Sequence, residues 1–472
     1  MNQSVEFHAR IQQALDNAQG RQNFRSAMDG FRDKRAAQFP DEHCLCEQRA
    51  LARTVRGNAL RRLPDLLEQL EQNLERNGIR VHWAETPEEA NRKVQELLKA
   101  QGATRVVKGK SMVTEEIGLN HHLEQNGFEV LESDLGEFII QLAGETPSHI
   151  VVPAVHKNRH EIAALLHRYD PNIPLTDDVD RMTQEARRIL REKFEQADAG
   201  ISGVNFAVAE TGTLCLVENE GNGRMCTAVP PLHIAITGIE KVVEKLSDVP
   251  HLLRLLPRSA TGQPITTYFN MISAPRKPGE QDGPESVHLI LLDNGRSRIH
   301  ADETFRQTLQ CIRCGACINH CPVYVQVGGH AYGTTYPGPI GCVLEPQRLG
   351  IDQIGTLASA CTLCGACGEV CPVGIPLPKL INRIRAESVQ GGADSPVRGA
   401  GSLRRGPEAL VWKLWAGIHA RPALYRLTTR LISRMSGLLP NRLGPWTRYR
   451  SAPRLATSTL HEWVKQQGYQ GE

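Results

Sequence analysis

The stretch Ile79-Arg80-Val81-His82-Trp83-Ala84-Glu85-Thr86-Pro87-Glu88-Glu89 turns from one kind of secondary structure to another within a few residues. Ile79 to Trp83 reads as a strand. Thr86 then starts a helix, with Pro87 at its first position and Glu88 and Glu89 in its first turn, where they complement the unsatisfied N–H groups. The alternation continues downstream. Arg105 to Val107 is a short apolar strand, Thr114 to Gln125 a helix, and Phe128 to Leu131 a strand. Leu135 to Ala143 is a helix and His149 to Val152 a strand. Such βα alternation predicts an α/β fold, a mainly parallel sheet covered by helices.

Working outward, residues 1–77 read as N-terminal helices, with Leu60, Leu63, Leu66, Leu67, Leu70 and Leu74 at helical spacing. On the other side, a charged helix runs from Thr183 to Gln196. Strand-like runs follow at Val204 to Ala209, Thr213 to Val217, His233 to Thr237, Thr266 to Ile272 and Val287 to Leu292. Glu220-Gly221-Asn222-Gly223 is a turn signal, and Pro275 to Pro284 an exposed loop. The expected organisation is a helical segment (1–77), an α/β domain (78–300), a cysteine-bearing helical domain (301–390), a Gly-rich linker (391–406) and a basic, Trp-containing C-terminal region (407–472).

The chain has 472 residues, 40% apolar and 23% charged, the balance of a water-soluble globular protein of two or three domains. It has no apolar run of about 18 residues, and Met1 to Arg25 lacks the apolar core of a secretory signal. A cytoplasmic location is expected. Net charge is +3, unevenly spread. Residues 404–454 hold ten Arg and one Lys against one acid, Glu408, so this stretch is +10 and the remainder −7. That asymmetry marks a docking surface.

Thirteen cysteines, an odd number, argue against a disulfide framework in such a protein. Eight fall in two motifs, Cys311-x2-Cys314-x2-Cys317-x3-Cys321-Pro322 and Cys361-x2-Cys364-x2-Cys367-x3-Cys371-Pro372. Both follow the bacterial ferredoxin pattern, in which three closely spaced thiolates wrap one cubane and the fourth Cys ligates the other cluster. Two [4Fe-4S] clusters are expected, one on Cys311, Cys314, Cys317 and Cys371, the other on Cys361, Cys364, Cys367 and Cys321. Structural zinc pairs lack the third Cys and the Cys-Pro ending. The 39 residues between Cys321 and Cys361 exceed the gap of a compact ferredoxin and contain a helix expected near Pro346 to Ala358. The module resembles the helical ferredoxin modules of succinate dehydrogenase and glycolate oxidase iron–sulfur subunits. Cys342, in this insert, is either a plain buried thiol or a ligand in place of Cys361.

Elsewhere the signals are weaker. Lys108-Gly109-Lys110-Ser111 lies between a strand and a helix, where backbone N–H groups and Lys108 and Lys110 could hold an anion such as a carboxylate; the bland alternative is an ordinary βα turn. Glu210-Thr211-Gly212-Thr213 is either a hairpin turn or the seat of a catalytic Glu210. His121, His122, His156 and His160 show no metal-ligand pattern. Cys215 and Cys226 read as buried small hydrophobes, and Cys44 and Cys46 form only a C-x-C. No strand is followed by G-x-G-x-x-G. In the tail, Leu424, Leu427, Leu431 and Met435 repeat beside Arg426, Arg430 and Arg434, flanked by Trp412, Trp415 and Trp446. This basic amphipathic pattern suits packing on an acidic partner or on the protein's own remainder, or contact with an anionic membrane face. No nucleic-acid partner is expected.

Lys108-Gly109-Lys110-Ser111-Met112-Val113-Thr114-Glu115-Glu116, Ala209-Glu210-Thr211-Gly212-Thr213 and Pro230-Pro231-Leu232-His233, followed by the double cysteine motif and the Trp/Arg-rich tail, resemble the lactate utilization protein B family over nearly the whole chain. The resemblance implies an α/β domain similar to the ribose-phosphate isomerase and CoA-transferase group. It implies two partners, a cysteine-rich subunit and a smaller lactate-utilization-domain subunit. Together they would oxidise L-lactate to pyruvate, this subunit carrying the electrons. Alternatives are another 2-hydroxy acid such as glycolate, or an active site of its own in the α/β domain.

Overall fold

A computed structural model of the protein describes residues 3–391, 395–403, 406–435 and 456–468. The described residues include ten strands: β1 (Arg80–Ala84), β2 (Arg105–Lys108), β3 (Glu129–Glu132), β4 (Ala199–Ser202), β5 (Phe206–Val208), β6 (Thr213–Glu218), β7 (Leu232–Gly238), β8 (Val242–Val243), β9 (Tyr268–Ile272) and β10 (Ser286–Leu292). Six form one sheet in the order β1-β10-β7-β4-β2-β3, and every pairing in it is parallel. Both faces are covered, which is why β7 and β10 read as continuous apolar runs. Ile290, Leu292, Ile234 and Ile236 pack on the helices Pro87–Ala100 and Leu119–Gln125. Leu289, Leu291 and Ala235, on the opposite face, join a larger core shared with the N-terminal helices and the cysteine region. The other four strands form a smaller sheet, β8-β5-β6-β9.

The chain leaves β2 for the edge strand β3, then returns to place β4 on the other side of β2. This reversal is a topological switch point, and it opens a crevice at the carboxyl ends of β2 and β4.

Four local expectations are corrected. His149 to Val152 is a bent loop, not a strand, because the N–H groups of Val151 and Val152 both donate to His149 Nδ1 at 3.1 Å and so cannot enter a ladder. The helix expected over Thr114 to Gln125 is two, Met112–Glu116 and Leu119–Gln125, parted at Gly118 with φ +62°. The helix of the cysteine insert begins earlier than expected, Gly338–Leu349, with Pro346 inside it. β4 was not anticipated: Ala-Gly-Ile-Ser carries little strand signal. Gly200 is there because a Cβ would lie 1.8 Å from the carbonyl oxygen of Cys226.

The N-terminal region forms the helices Gln3–Asp16, Ala18–Gln38, Glu42–Arg61 and Leu63–Arg76. They are held by long-range arginine bonds. Arg10 Nε donates to Ala331 O at 3.2 Å, and Arg49 donates to Cys371 O at 2.9 Å and Gly368 O at 3.2 Å. Arg56 is buried and donates to Val242 O (2.9 Å), Leu309 O (3.0 Å), Gln310 O (3.3 Å) and Glu240 O. The described chain falls into two compact units, 1–403 and 404–472. Part of the Gly-rich stretch expected to be a linker folds onto the first unit, Gly401 N donating to Glu387 O and Leu403 N to Ser388 O. The second unit holds the helices Gly406–His419, Pro422–Arg434 and Leu460–Gln466. Trp446 lies outside the described residues.

Candidate metal centre

The two cysteine motifs sit 50 residues apart and fold alike. The 3₁₀ turns Phe305–Gln310 and Gly355–Ala360 deliver Cys311 and Cys361. Arg313 and Leu363 then take φ +61° and +55°, and Gly315 and Gly365 take +75° and +90°. Short helices, Ala316–Asn319 and Ala366–Glu369, follow. These left-handed residues curl each loop so that backbone N–H groups point at sulfur. Arg313 N donates to Cys311 Sγ at 3.4 Å and Leu363 N to Cys361 Sγ at 3.3 Å; Ile375 N donates to Cys371 Sγ at 3.3 Å. N–H donors also reach Cys314, Cys321 and Cys367. Such donors stabilise thiolate charge and tune a cluster's potential.

Electrostatics sort the thiols into two groups. Burial pushes Cys314 and Cys317 up, and neighbouring thiols add to it: Cys311 and Cys371 act on Cys314, and Cys311, Cys314 and Cys371 on Cys317. Burial likewise brings Cys367 up to about 12, with Cys361, Cys321 and Cys364 adding. Cys361 and Cys364 also act on Cys321. Cys367 acts more weakly on Cys317, so the groups adjoin. Four thiols crowded this way cannot all ionise unaided. A polycationic centre would supply the missing countercharge, and the donor set fits a thiolate-bound iron–sulfur cluster.

Spacing separates iron–sulfur from zinc. Tetrahedral zinc with bonds of about 2.3 Å needs sulfurs about 3.8 Å apart. Among the described residues, the one group of three or more His, Cys, Asp or Glu ligand atoms all within 4.8 Å of one another is Glu145, His156 and His330. No three of the eight thiols come that close, as ligands arrayed around a bulkier cluster would not. In that histidine group His156 Nε2 already meets Glu145 at 2.6 Å and His330 Nε2 meets Thr146 O at 2.7 Å. His121 bonds Gln125 and His122 bonds Gln95, while the backbone N–H of His160 donates to the helix cap Asn158.

Cys342 is buried, its Sγ donates to Leu357 O at 3.3 Å, and it stands near Cys321, Cys361 and Cys367. Arg385 clamps the second loop, donating to Ala358 O at 2.9 Å and to Cys361 O. Cys215 and Cys226 are buried, and Cys44 accepts from Gln48 at 3.0 Å.

Beside the first motif lies a cavity of about 680 Å³. It opens on the switch-point crevice: Gly109, Lys110 and Ser111 follow β2, and Ser202, Gly203 and Val204 end or follow β4. Arg313, Cys314 and Tyr336 of the cysteine region complete the wall. Lys110, expected in an anion loop, lines this space and donates to Val151 O. Lys108 does not: it is fully buried between Glu132 (2.7 Å) and Glu115 (3.2 Å) and donates to Thr114 Oγ1 at 3.0 Å. Its charge is spent internally, which corrects the expectation that it binds an anion. Glu210 lies away from the cavity wall and accepts from Leu246 N at 3.0 Å. Its turn is the hairpin reading realised, with Gly212 at φ +62° against Asn73. His233 is buried in β7 and bonds Ser202 Oγ at 2.8 Å.

Three residues that sequence reasoning passed over matter here. His149 packs its ring where a Cβ on Gly315 would lie 3.0 Å away, and bonds Asn319 Oδ1 at 2.9 Å. Burial takes it down to about 4, so it is neutral. Arg313 lies 4.4 Å over the Tyr336 ring and 3.4 Å from Glu240. Lys241 directly follows Glu240; burial, then Arg313, lower it to about 7, with Glu240 opposing.

Known proteins match the chain in three segments. Residues 67–292 match the LUD domain, 307–375 the 4Fe-4S dicluster domain and 383–469 the C-terminal region of lactate utilisation protein B. An uncharacterized electron transport protein YkgF of Escherichia coli (strain K12) is 40% identical over 98% of this chain and 97% of its own. Lactate utilization protein B of Bacillus licheniformis is 39% identical over 98% and 96%, and that of Bacillus cytotoxicus 43% over 89% and 88%.

Proposed function

The chain belongs to the lactate utilization protein B family, and from that premise we propose that it is the iron–sulfur electron-transfer subunit of a multi-subunit complex oxidising L-lactate to pyruvate. The observation that carries the reading is the sorting of eight thiols into two adjoining groups, each drawing three cysteines from one motif and one from the other. Cys311, Cys314, Cys317 and Cys371 would hold one [4Fe-4S] cluster and Cys361, Cys364, Cys367 and Cys321 the second, with Cys342 left protonated. Each cluster supplies a one-electron carrier, and lactate oxidation releases two electrons and two protons.

The chain's own residues do the rest. Ile312, Ile318, Leu309 and Leu357 exclude water around the loops, N–H groups hold thiolate charge, and Arg49, Arg56 and Arg385 fix the loop carbonyls. The partners proposed are the cysteine-rich subunit and the smaller LUD-domain subunit. The basic region 404–454 is proposed as the surface that docks on an acidic partner or lies at the inner membrane face. No helix among the described residues is long and apolar enough to cross a membrane.

The test is single turnover. Anaerobic protein mixed with its partner subunits and L-lactate should lose its iron–sulfur absorbance within the turnover time. Bleaching by glycolate but not by L-lactate would move the substrate to another 2-hydroxy acid. No bleaching by either would end the electron-transfer reading.

A further inference from the structure

We infer that the cavity at the carboxyl ends of β2 and β4 is a binding site for a small organic carboxylate, held by Lys241 and Arg313 against the wall formed by Cys314.

Lys241 is 6% exposed and lines the cavity, yet its ammonium makes no hydrogen bond and no ion pair among the described residues. Its neighbour Arg313 has a buried Nη1 with no partner. Buried polar donors are normally satisfied; here an ammonium and a guanidinium N–H that line one cavity, Arg313 being the strongest-acting charge on Lys241, lack an acceptor, and an anion would supply it. Glu240 fills only part of that role: it accepts from Arg296 at 2.6 Å and from Arg313 Nη2 at 3.4 Å, which leaves Arg313 Nη1 and the Lys241 ammonium without an acceptor among the described residues.

The acidic residues of the cavity are not the partner either. Burial raises Glu220, with Asp134 and Glu218 adding and Lys110 opposing, and no acid of this set is ion-paired with Lys241 or Arg313 among the described residues. The charges acting on Lys241 are instead Arg313, Glu240, Cys311 and Arg56.

The donors that remain favour a carboxylate over a phosphate. A phosphate site would use the backbone N–H groups of a helix start. Here one such group of each nearby helix is already taken by the chain's own side chains: Thr114 N by Ser111 Oγ (3.3 Å), Glu137 N by Asp134 (3.1 Å) and Gly223 N by Glu218 (2.6 Å). One ammonium and one guanidinium N–H match the two oxygens of a carboxylate. Val204, Leu216, Ile236 and Leu256 line the space beyond them and suit an apolar substituent. The location agrees with the rule that open α/β sheets bind ligands at the switch point.

The site itself needs no cluster; only its spectroscopic readout rests on the reading that Cys314 ligates one. The experiment titrates anaerobic holoprotein with pyruvate, acetate, sulfate and phosphate by calorimetry, and repeats the pyruvate titration under EPR after reduction. Saturable binding of pyruvate at one site per chain is expected, with a change in one of the reduced-cluster signals. Binding should weaken at least about tenfold in Lys241→Gln, the loss of one charge-assisted hydrogen bond, and recover in Lys241→Arg, with iron content unchanged in both.

No pyruvate binding to the wild-type holoprotein overturns the inference whether or not the variants fold. Equal affinity for sulfate or phosphate, or undiminished affinity in Lys241→Gln, overturns it as well. Pyruvate binding without bleaching by lactate or glycolate would sink the electron-transfer role and leave this site standing. Bleaching without binding would do the reverse.

Discussion

Replacing Cys371 by Ser removes a ligand from the far motif, yet the cluster expected to fail is the one wrapped by the near motif. The proposed crossing makes this prediction sharp. Cys371 acts on Cys314 and Cys317, and is absent from the thiols acting on Cys367 and Cys321. Iron should fall from about eight to about four atoms per chain. The survivor identifies the wiring, because the two sets differ in access to solvent. Cys314, Cys317 and Cys371 are all buried, whereas Cys364 is exposed and Cys361 half-buried. In Cys371→Ser the surviving cluster is therefore the exposed one, and a ferrous chelator should strip it quickly. In Cys321→Ser the survivor is the buried one, and the same chelator should act slowly. The assay is iron content followed by chelator kinetics under anaerobic conditions. An uncrossed arrangement reverses the two rates. That reversal, or loss of all iron from both variants, would refute the assignment.

Further predictions concern the frame around the site. Arg56→Met strands four carbonyl acceptors in the interior and should cost about 3–5 kcal/mol, read as a lowered denaturation midpoint. Lys108→Met leaves Glu132 buried without its closest cation and should cost about as much, while Lys108→Met with Glu132→Leu should recover most of the loss. Glu116 accepts from Arg296 at 2.9 Å and from Tyr336 at 2.8 Å. Burial opposes its charge, but Arg296 and Arg348 outweigh this and hold it at about 2 against an ordinary 4.5. The depressed carboxyl stabilises the fold above pH 4.5, and that contribution, roughly 3 kcal/mol, is lost as pH falls towards 2. Acid titrations of wild type and Glu116→Gln should differ in this window and run parallel above it. Gly200→Ala drives a methyl into the Cys226 carbonyl and should abolish soluble expression, whereas Gly102→Ala, with open space around it and only a positive φ to satisfy, should cost about 1 kcal/mol.

The sheet was legible where a strand is apolar and uninterrupted, as in Val287 to Leu292, and where a helix carries its own start signal, as at Thr86-Pro87. It was illegible where tertiary contact overrides propensity. β4 needs a glycine for the close approach of Cys226, and a glycine is a poor strand signal. Ile150-Val151-Val152 looks like a strand in sequence, but a histidine side chain has taken its N–H groups. The cysteine motifs were readable because their spacing repeats a pattern that the shape of a cubane dictates. Lys241 was not, since Glu240-Lys241 looks like any charged pair, and only the order of strands brings it to the same wall as Cys314.

The arginine bonds that girdle the cysteine loops also set a timetable. Arg10, Arg49 and Arg56 are made early, yet their acceptors lie from 184 to 322 residues later. At ribosomal speeds of about 5–20 residues per second, these arginines must wait roughly 9 to 64 s for the carbonyls they grip. The earliest-born part of the molecule therefore completes its grip only after the cysteine loops have been made.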